Sequence, residues 1–208
     1  MGIFRKLFGR EPQGAPQPDA RIKGRLADFE NISRLVDQDR WAEAVAALDR
    51  VLGLPSGYEA AKTHLQALLA DPQLFRVDTR EAGRDAEGRN LVRARLGFGG
   101  GSVPQMFALR GRYLLSAIGE RLQQAAIPGG VGMSGDPELL RLRPLAIDHV
   151  KLCTELFFSD TEALIPAARL CGVFGNYAGS QQLLRQVLQL DPNHAEAKEA
   201  LAYVERQL

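Results

Sequence analysis

Apolar side chains recur every three to four residues through the first third of the chain, which is the spacing of one face of an α-helix. The first stripe predicts a helix from about residue 20 to 39. The second predicts a helix over residues 41–52, which ends before Gly53. A third helix is predicted over residues 58–70. Because the connections are short, we expect neighbouring helices to pack antiparallel.

The middle of the chain changes from helical to alternating periodicity. In residues 75–79 and 92–98 apolar and polar side chains alternate, and a segment rich in turn residues lies between them. This pattern predicts a β-hairpin with one buried face. Proline at position 104 then favours the first turn of a helix that we expect to run to about residue 125.

The last third returns to helical periodicity. A helix is predicted over residues 137–158, broken before Pro144, and Ser159-Asp160 is predicted to cap the next one. The predicted fold class is therefore mainly α, with antiparallel helix pairs and a central β-hairpin-containing insert. The predicted regions are a leader and linker at 1–19, amino-terminal helices at 20–72, an α+β insert at 73–136 and carboxyl-terminal helices at 137–208.

The first ten residues form an amphipathic segment, which we call the leader. A proline-rich stretch, residues 11–19, separates it from the helices, and three basic residues lie away from its apolar face. The apolar residues of the leader are Ile3, Phe4, Leu7 and Phe8. Three uses remain open: weak contact with an anionic membrane surface, docking onto a protein groove, and return onto the chain's own helices.

The clearest motif lies near the carboxyl end, in residues 175–193. Gly175 permits a tight turn between two helices, and Pro192 ends the second of them. The stretch resembles the turn, second helix and terminal proline of a tetratricopeptide repeat. It departs from that pattern at Ser180, where a small alanine is usual, and at Pro166, inside the first helix.

A weaker copy of the same register surrounds Trp41 and Ala44, and residues 194–208 resemble a further first helix or a capping helix. About three repeats are needed for a stable stack, so the insert must help to build the core, or the two ends must pack on each other. The resemblance implies that a protein or peptide lies against the first helices of the repeats. The positions that it implies for this concave surface are Glu162, Ile165, Arg169, Asn193, Glu199 and Tyr203.

Composition narrows the range of partners. Hydrophobic residues make up 45% and charged residues 25% of 208 positions, values typical of globular proteins, and the net charge of +1 argues against a strongly basic nucleic-acid binder. A basic strip is predicted on the polar face of the hairpin, where it would protect the sheet edge or dock an acidic partner. Its residues are Arg76, Arg80, Arg93 and Arg95. No aromatic residue alternates with them, which disfavours nucleic acid.

Candidate chemistry is sparse. The glycine-rich run 97–102 lacks the lysine and hydroxyl residue of a phosphate loop, so we interpret it as a flexible loop. His149 and Cys153 are spaced to face the same side of a helix, but two ligands do not complete a metal site. No nucleophile motif occurs. We therefore expect no metal, no cofactor and no enzymatic activity.

The sequence leaves two functions open. Cys153 and Cys171 lie in apolar runs typical of buried free thiols, and no signal-peptide or membrane-spanning pattern occurs, which indicates the cytoplasm. The favoured function is a non-enzymatic adaptor or scaffold. The alternative is a small-ligand or regulatory-sensor domain with its pocket in the insert. An open groove over the repeat helices would favour the adaptor, and an enclosed cavity around residues 75–125 would favour the sensor.

Overall fold

The computed structural model describes residues 25–71, 74, 102–124 and 135–208. Over these residues the chain forms eight α-helices and no strand. The helices are α1 (Arg25–Asp37), α2 (Trp41–Leu52), α3 (Tyr58–Ala70), α4 (Val103–Gln124), α5 (Pro137–Leu156), α6 (Thr161–Val173), α7 (Tyr177–Leu190) and α8 (Ala195–Glu205). None of them is both long enough and apolar enough to cross a lipid bilayer.

Helix α2 shows how the apolar pattern positions an element. Its six buried residues, from Ala44 to Leu52, share one face, while the opposite face carries Glu43 and Arg50. The helix ends at Gly53, whose φ of 64° is a left-handed conformation that glycine adopts without steric cost. The predicted bounds of α2 and α3 are confirmed.

Helix α4 lies at the centre of the packing. It contacts α2 on one side and α5 and α6 on the other, while α1 packs on α2 and α3 packs on α5. Helix α6 also contacts α7, and α8 packs on α7 and on the edge of α6. One hydrophobic cluster includes residues of all eight helices. The helix from the predicted insert therefore joins the two ends of the described chain in one core.

The close approach of α4 to its neighbours depends on Gly111. A Cβ atom at this position would lie 2.7 Å from Cβ of Pro166 in α6, and closer still to Nε2 of His149 in α5. Both distances are shorter than van der Waals contact allows. Any side chain at position 111 must therefore push two helices away from α4.

The carboxyl-terminal helices begin with side-chain caps. The carboxylate of Asp136 accepts hydrogen bonds from two backbone N–H groups at the start of α5, and that of Asp160 accepts one from the N–H of Ala163 at 3.0 Å. The predicted cap at Asp160 is confirmed. The break expected before Pro144 is absent, because this proline lies on the exposed side of a continuous α5.

The β-hairpin is the part of the predicted fold class that is wrong. The fold is all-α in the described part of the chain, and residues 103–124 of the predicted α+β insert form the central helix. The two alternating runs, 75–79 and 92–98, lie outside the described residues. An alternation over five to seven residues is too short to define a period, and a lone hairpin has little stability of its own.

Candidate functional site

A groove opens on the surface where α4, α6, α7 and α8 meet, and its volume is about 530 Å³. Its floor is apolar, and its rim carries charged and aromatic side chains. The floor includes Leu115, Leu184, Ala200 and Val204, and the rim includes Arg169, Val173, Glu199, Tyr203 and Arg206. The groove is therefore an open depression with an apolar base and a polar edge.

The helical repeat explains how α8 lines this groove. Positions 199, 200, 203 and 204 are spaced so that they share one face of the helix. Val204 at the inner edge of this face is buried, whereas Tyr203 at its outer edge is 53% exposed. Helix α6 contributes Arg169, Gly172 and Val173, which are also three and four positions apart.

Small side chains keep the groove open beside α6. Gly172 lies on the groove, and a Cβ atom there would make ordinary contact, 3.7 Å from Oγ of Ser180. Ser180 is itself buried beneath the groove. A larger side chain at position 172 would therefore extend into the groove rather than into the core.

Ion pairs connect the helices that line the groove. Arg169 Nη2 lies 3.0 Å from Glu196 Oε1 and links α6 to α8, and Arg112 pairs with Glu162 to link α4 to α6. All four side chains are 43–58% exposed, so water screens these pairs and they contribute little to the free energy of folding. Their positions leave charged groups on the solvent side of the apolar floor.

The positions implied by the repeat resemblance divide into two sets. Arg169, Glu199 and Tyr203 line the groove. Three others do not. Glu162 is exposed and paired with Arg112, Ile165 is buried in the core, and Asn193 is exposed in the α7–α8 connection.

Sequence reasoning missed Leu115, Val173 and Arg206 as groove residues. The apolar spacing of α4 could have indicated Leu115, but no repeat register covers that helix. The four arginines of the predicted basic strip, Arg76, Arg80, Arg93 and Arg95, lie outside the described residues. So do Ile3, Phe4, Leu7 and Phe8 of the leader.

His149 and Cys153 are close together, as their spacing predicts, but they lie in the core. Cys153 Sγ is 3.5 Å from His149 Nε2 and 3.5 Å from the carbonyl oxygen of Ala163. Burial raises the pKa of the Cys153 thiol, so the thiol stays protonated and is a poor nucleophile. The described residues contain no group of three or more His, Cys, Asp or Glu side chains that could hold a metal ion.

A buried ion pair lies next to this cluster. Arg110 is 5% exposed, and its Nε and Nη2 donate to the two carboxylate oxygens of Asp49 at 2.6 and 3.2 Å. The pair joins α4 to α2. It neutralises a guanidinium that would otherwise be very costly to bury.

A second depression, of about 310 Å³, lies beside Trp41. Several of its charged side chains already have partners: Arg40 donates to Glu43, and Glu138 pairs with Arg141. Trp41 is half-buried and packs on Tyr113, with ring centroids 5.9 Å apart. We interpret this depression as a solvated junction between α2, α4 and α5.

No protein-family model matches the chain, no curated protein is detectably similar to it in sequence, and no solved structure matches its fold.

Proposed function

We propose that the protein is a non-enzymatic adaptor or scaffold that holds a peptide or helix of another protein in the groove between α6 and α8. The observation that carries this proposal is the groove itself, with its apolar floor and its rim of Arg169, Tyr203 and Arg206. A groove of this kind fits the apolar face of an amphipathic helix, while its rim contacts the partner's polar side chains.

The composition of the rim supports a protein partner. Tyrosine and arginine are enriched among residues that dominate the binding energy of protein interfaces. Tyr203 presents more than half of its surface to solvent at the groove edge, with Arg169 and Arg206 among the same lining residues. The ring has a large apolar area and few rotatable bonds, so its immobilisation on binding costs little entropy.

The order of the helix contacts supports a tetratricopeptide-like arrangement as part of this proposal. Taking α1–α2, α4–α5 and α6–α7 as pairs, the first helices α4, α6 and α8 contact one another in succession. In that assignment α3 and the chain up to α4 are inserted between the first and second pairs. The groove then lies between first helices, where repeat proteins of this kind present their ligand-binding surface.

We also infer that the protein works in the cytoplasm. Cys153 and Cys171 are both free and buried. Free thiols are typical of proteins from reducing compartments.

Peptide selection tests the proposal. Displayed random peptides would be selected on the full-length protein, and their dissociation constants measured by fluorescence anisotropy. Val173→Asp and Tyr203→Ala change exposed groove residues, so the fold should be retained. We expect each to weaken binding of the selected peptides by about tenfold or more, which is the loss expected on changing an interface residue that contributes strongly to binding.

Ile147→Asp is the matched control, because Ile147 is a comparably exposed apolar residue on α5, which does not line the groove. It should leave the dissociation constants unchanged. The proposal is overturned if no peptide is selected, or if selected peptides bind the groove variants as tightly as the wild type.

A further inference from the structure

We propose that the groove has a resident occupant, the chain's own leader (residues 1–10), which competes with the partner. This inference rests on the proposed function, because leader and partner use the same groove. Three independent features carry it: the matching spacing of apolar side chains, the opposite charges of the two regions, and the length of chain between them.

The apolar spacing of the leader matches that of the groove wall. In a helix, Ile3, Phe4, Leu7 and Phe8 would share one face at positions i, i+1, i+4 and i+5. The α8 residues that line the groove have the same spacing at positions 199, 200, 203 and 204. Helices pack by interdigitating ridges of side chains four positions apart, and the leader offers such ridges over less than about two helical turns. In helical form, the leader would therefore present an apolar face to the groove.

The charges of the two regions are opposite. Residues 1–24 carry five basic and two acidic side chains, a net charge of +3, and residues 135–208 carry seven basic and ten acidic side chains, a net charge of −3. The charged residues of the groove lining are Glu199, Arg169 and Arg206, and Arg169 is paired with Glu196, so Glu199 is the lining carboxylate open to a basic side chain of the leader. The attraction between the regions acts over roughly 8 Å at physiological ionic strength, so it favours approach of the leader to the carboxyl-terminal helices as a whole.

The chain between the leader and α1 is long enough to reach the groove. Sixteen residues, 9–24, separate Phe8 from the start of α1. Extended, they span roughly 50 Å. The packed series α1, α2, α4, α6 and α8 has four helix-to-helix steps. At about 8–10 Å per step, the axis of α8 lies no more than roughly 40 Å from that of α1. Docking within one molecule needs no second copy of the chain.

Tethering makes even a weak interaction effective. A segment on a flexible linker has an effective concentration on the order of 1 mM. A leader with an intrinsic dissociation constant of about 0.1 mM would then occupy the groove in most molecules and weaken partner binding by about tenfold. The leader would thus act as an autoinhibitory segment that a tighter-binding partner displaces.

The test uses the full-length chain and a labelled synthetic peptide of residues 1–12. Two proteins are compared. The first, called the silenced protein, carries Phe4→Ser and Phe8→Ser, which replace two apolar side chains of the leader with polar ones, and the second is the wild type. Anisotropy titrations should show that the silenced protein binds the peptide about tenfold more tightly than the wild type, whose groove is already occupied. Adding Val173→Asp to the silenced protein should abolish binding, whereas adding Ile147→Asp should not change it.

Three outcomes overturn the inference. The first is equal peptide affinity of the wild-type and silenced proteins, or no binding to either. The second is dimerisation of the wild type, but not of the silenced protein, in sedimentation velocity runs, which would place the leader on another copy. The third combines two results: the wild-type protein and its Val173→Asp variant bind phosphatidylcholine–phosphatidylserine vesicles with equal affinity, and the peptide does not bind the groove. Together these results would make the leader a membrane anchor.

Failure of this inference is distinguishable from failure of the proposed function. If the selected peptides bind the wild-type and silenced proteins equally and still lose affinity with Val173→Asp, the groove binds partners and the leader does not inhibit it. If Val173→Asp affects neither the selected peptides nor the leader peptide, the groove itself is not the binding site, and both proposals fall.

Discussion

The imidazole of His149 stacks on the ring of Phe107, with 4.5 Å between the ring centroids and 24° between the ring planes. The next turn of α4 brings Gly111 against the same imidazole. The junction of α4 and α5 is thus an aromatic stack beside a position with no side chain. Pro166 of α6 closes this junction from the other side, so the three helices are packed with no room for an added methyl group.

Replacing Gly111 by alanine should destabilise the protein, although alanine favours helices by up to about 1 kcal/mol over glycine. The added methyl group would overlap His149 and Pro166, and such overpacking typically costs about 1–3 kcal/mol. Gly119→Ala is the control on the same helix, because a Cβ atom there meets nothing within 4 Å. It should stabilise. Urea denaturation of both variants checks the prediction, and a gain in stability for Gly111→Ala would contradict the described packing.

His149 should make the protein sensitive to mild acid. Burial and the nearby Arg110 charge hold the pKa of His149 well below its usual value of 6.5. The unfolded chain therefore binds a proton near pH 6.5 that the folded chain excludes. The free energy of unfolding is unaffected above that pH and falls as the pH drops below it, by up to about 1.4 kcal/mol per pH unit.

Between pH 6.5 and 4.5, the loss of stability caused by His149 can be measured separately from the loss caused by protonation of the surface carboxylates. Ion pairs lower the pKa values of Glu43 and Glu138 below 4.5, so the stability that they contribute is lost only in stronger acid. We expect a downward slope of stability with falling pH in urea titrations of the wild type, and a flatter slope for His149→Gln. Equal slopes would show that another group binds the proton.

The ion pair between Asp49 and Arg110 should respond differently to single and double substitution. Asp49→Ala leaves a guanidinium buried without its counter-charge. The expected loss lies toward the lower end of the about 3–5 kcal/mol typical of a broken buried pair, because Asp49 retains 23% exposure. Asp49→Leu combined with Arg110→Met removes both charges and should cost much less. A double variant as unstable as Asp49→Ala would contradict this account.

Position 175, occupied by glycine, should require a residue that tolerates a positive φ angle. Its φ is 77°, and no atom lies within 4 Å of the position that a Cβ would occupy, so the cost of substitution is purely conformational. Gly175→Val should lower the free energy of unfolding by about 1–3 kcal/mol. Gly175→Asn should cost less, because asparagine enters this conformation more readily. Calorimetric midpoints for the two variants test the order, and an unchanged midpoint for valine would contradict the turn.

Local signals predicted the local structure well. The bounds of α2 and α3, the cap at Asp160 and the turn at Gly175 all follow from residues a few positions apart. The central position of α4 does not follow from such local signals. This helix carries a buried arginine, and a long charged side chain is normally expected to be exposed. Its partner, Asp49, is 61 positions away, and no local pattern indicates such a pairing. Trp41, which the weaker repeat register places at the start of a second helix, is half-buried against Tyr113 of α4, a contact between residues distant in the chain.

The groove was only partly predictable for a related reason. One face of α8 follows the helical period, so Glu199 and Tyr203 could be placed on it. Helix α6 has no such simple face. All residues from position 163 to 168 are buried, because α4, α5 and α7 cover the helix from several sides. A repeat register therefore placed Ile165 on the surface, although it lies in the core.

The central position of α4 also bears on the order in which the chain folds. Helices α6, α7 and α8 lie within residues 161–205, so their mutual contacts close only short loops. The contact between Asp49 and Arg110 closes a far longer one, and the entropy lost on closure grows with loop length. Non-local contacts of this kind slow folding. We therefore expect the carboxyl-terminal helices to assemble early and the docking of α4 against α2 to be the late step, after which the described helices share one core.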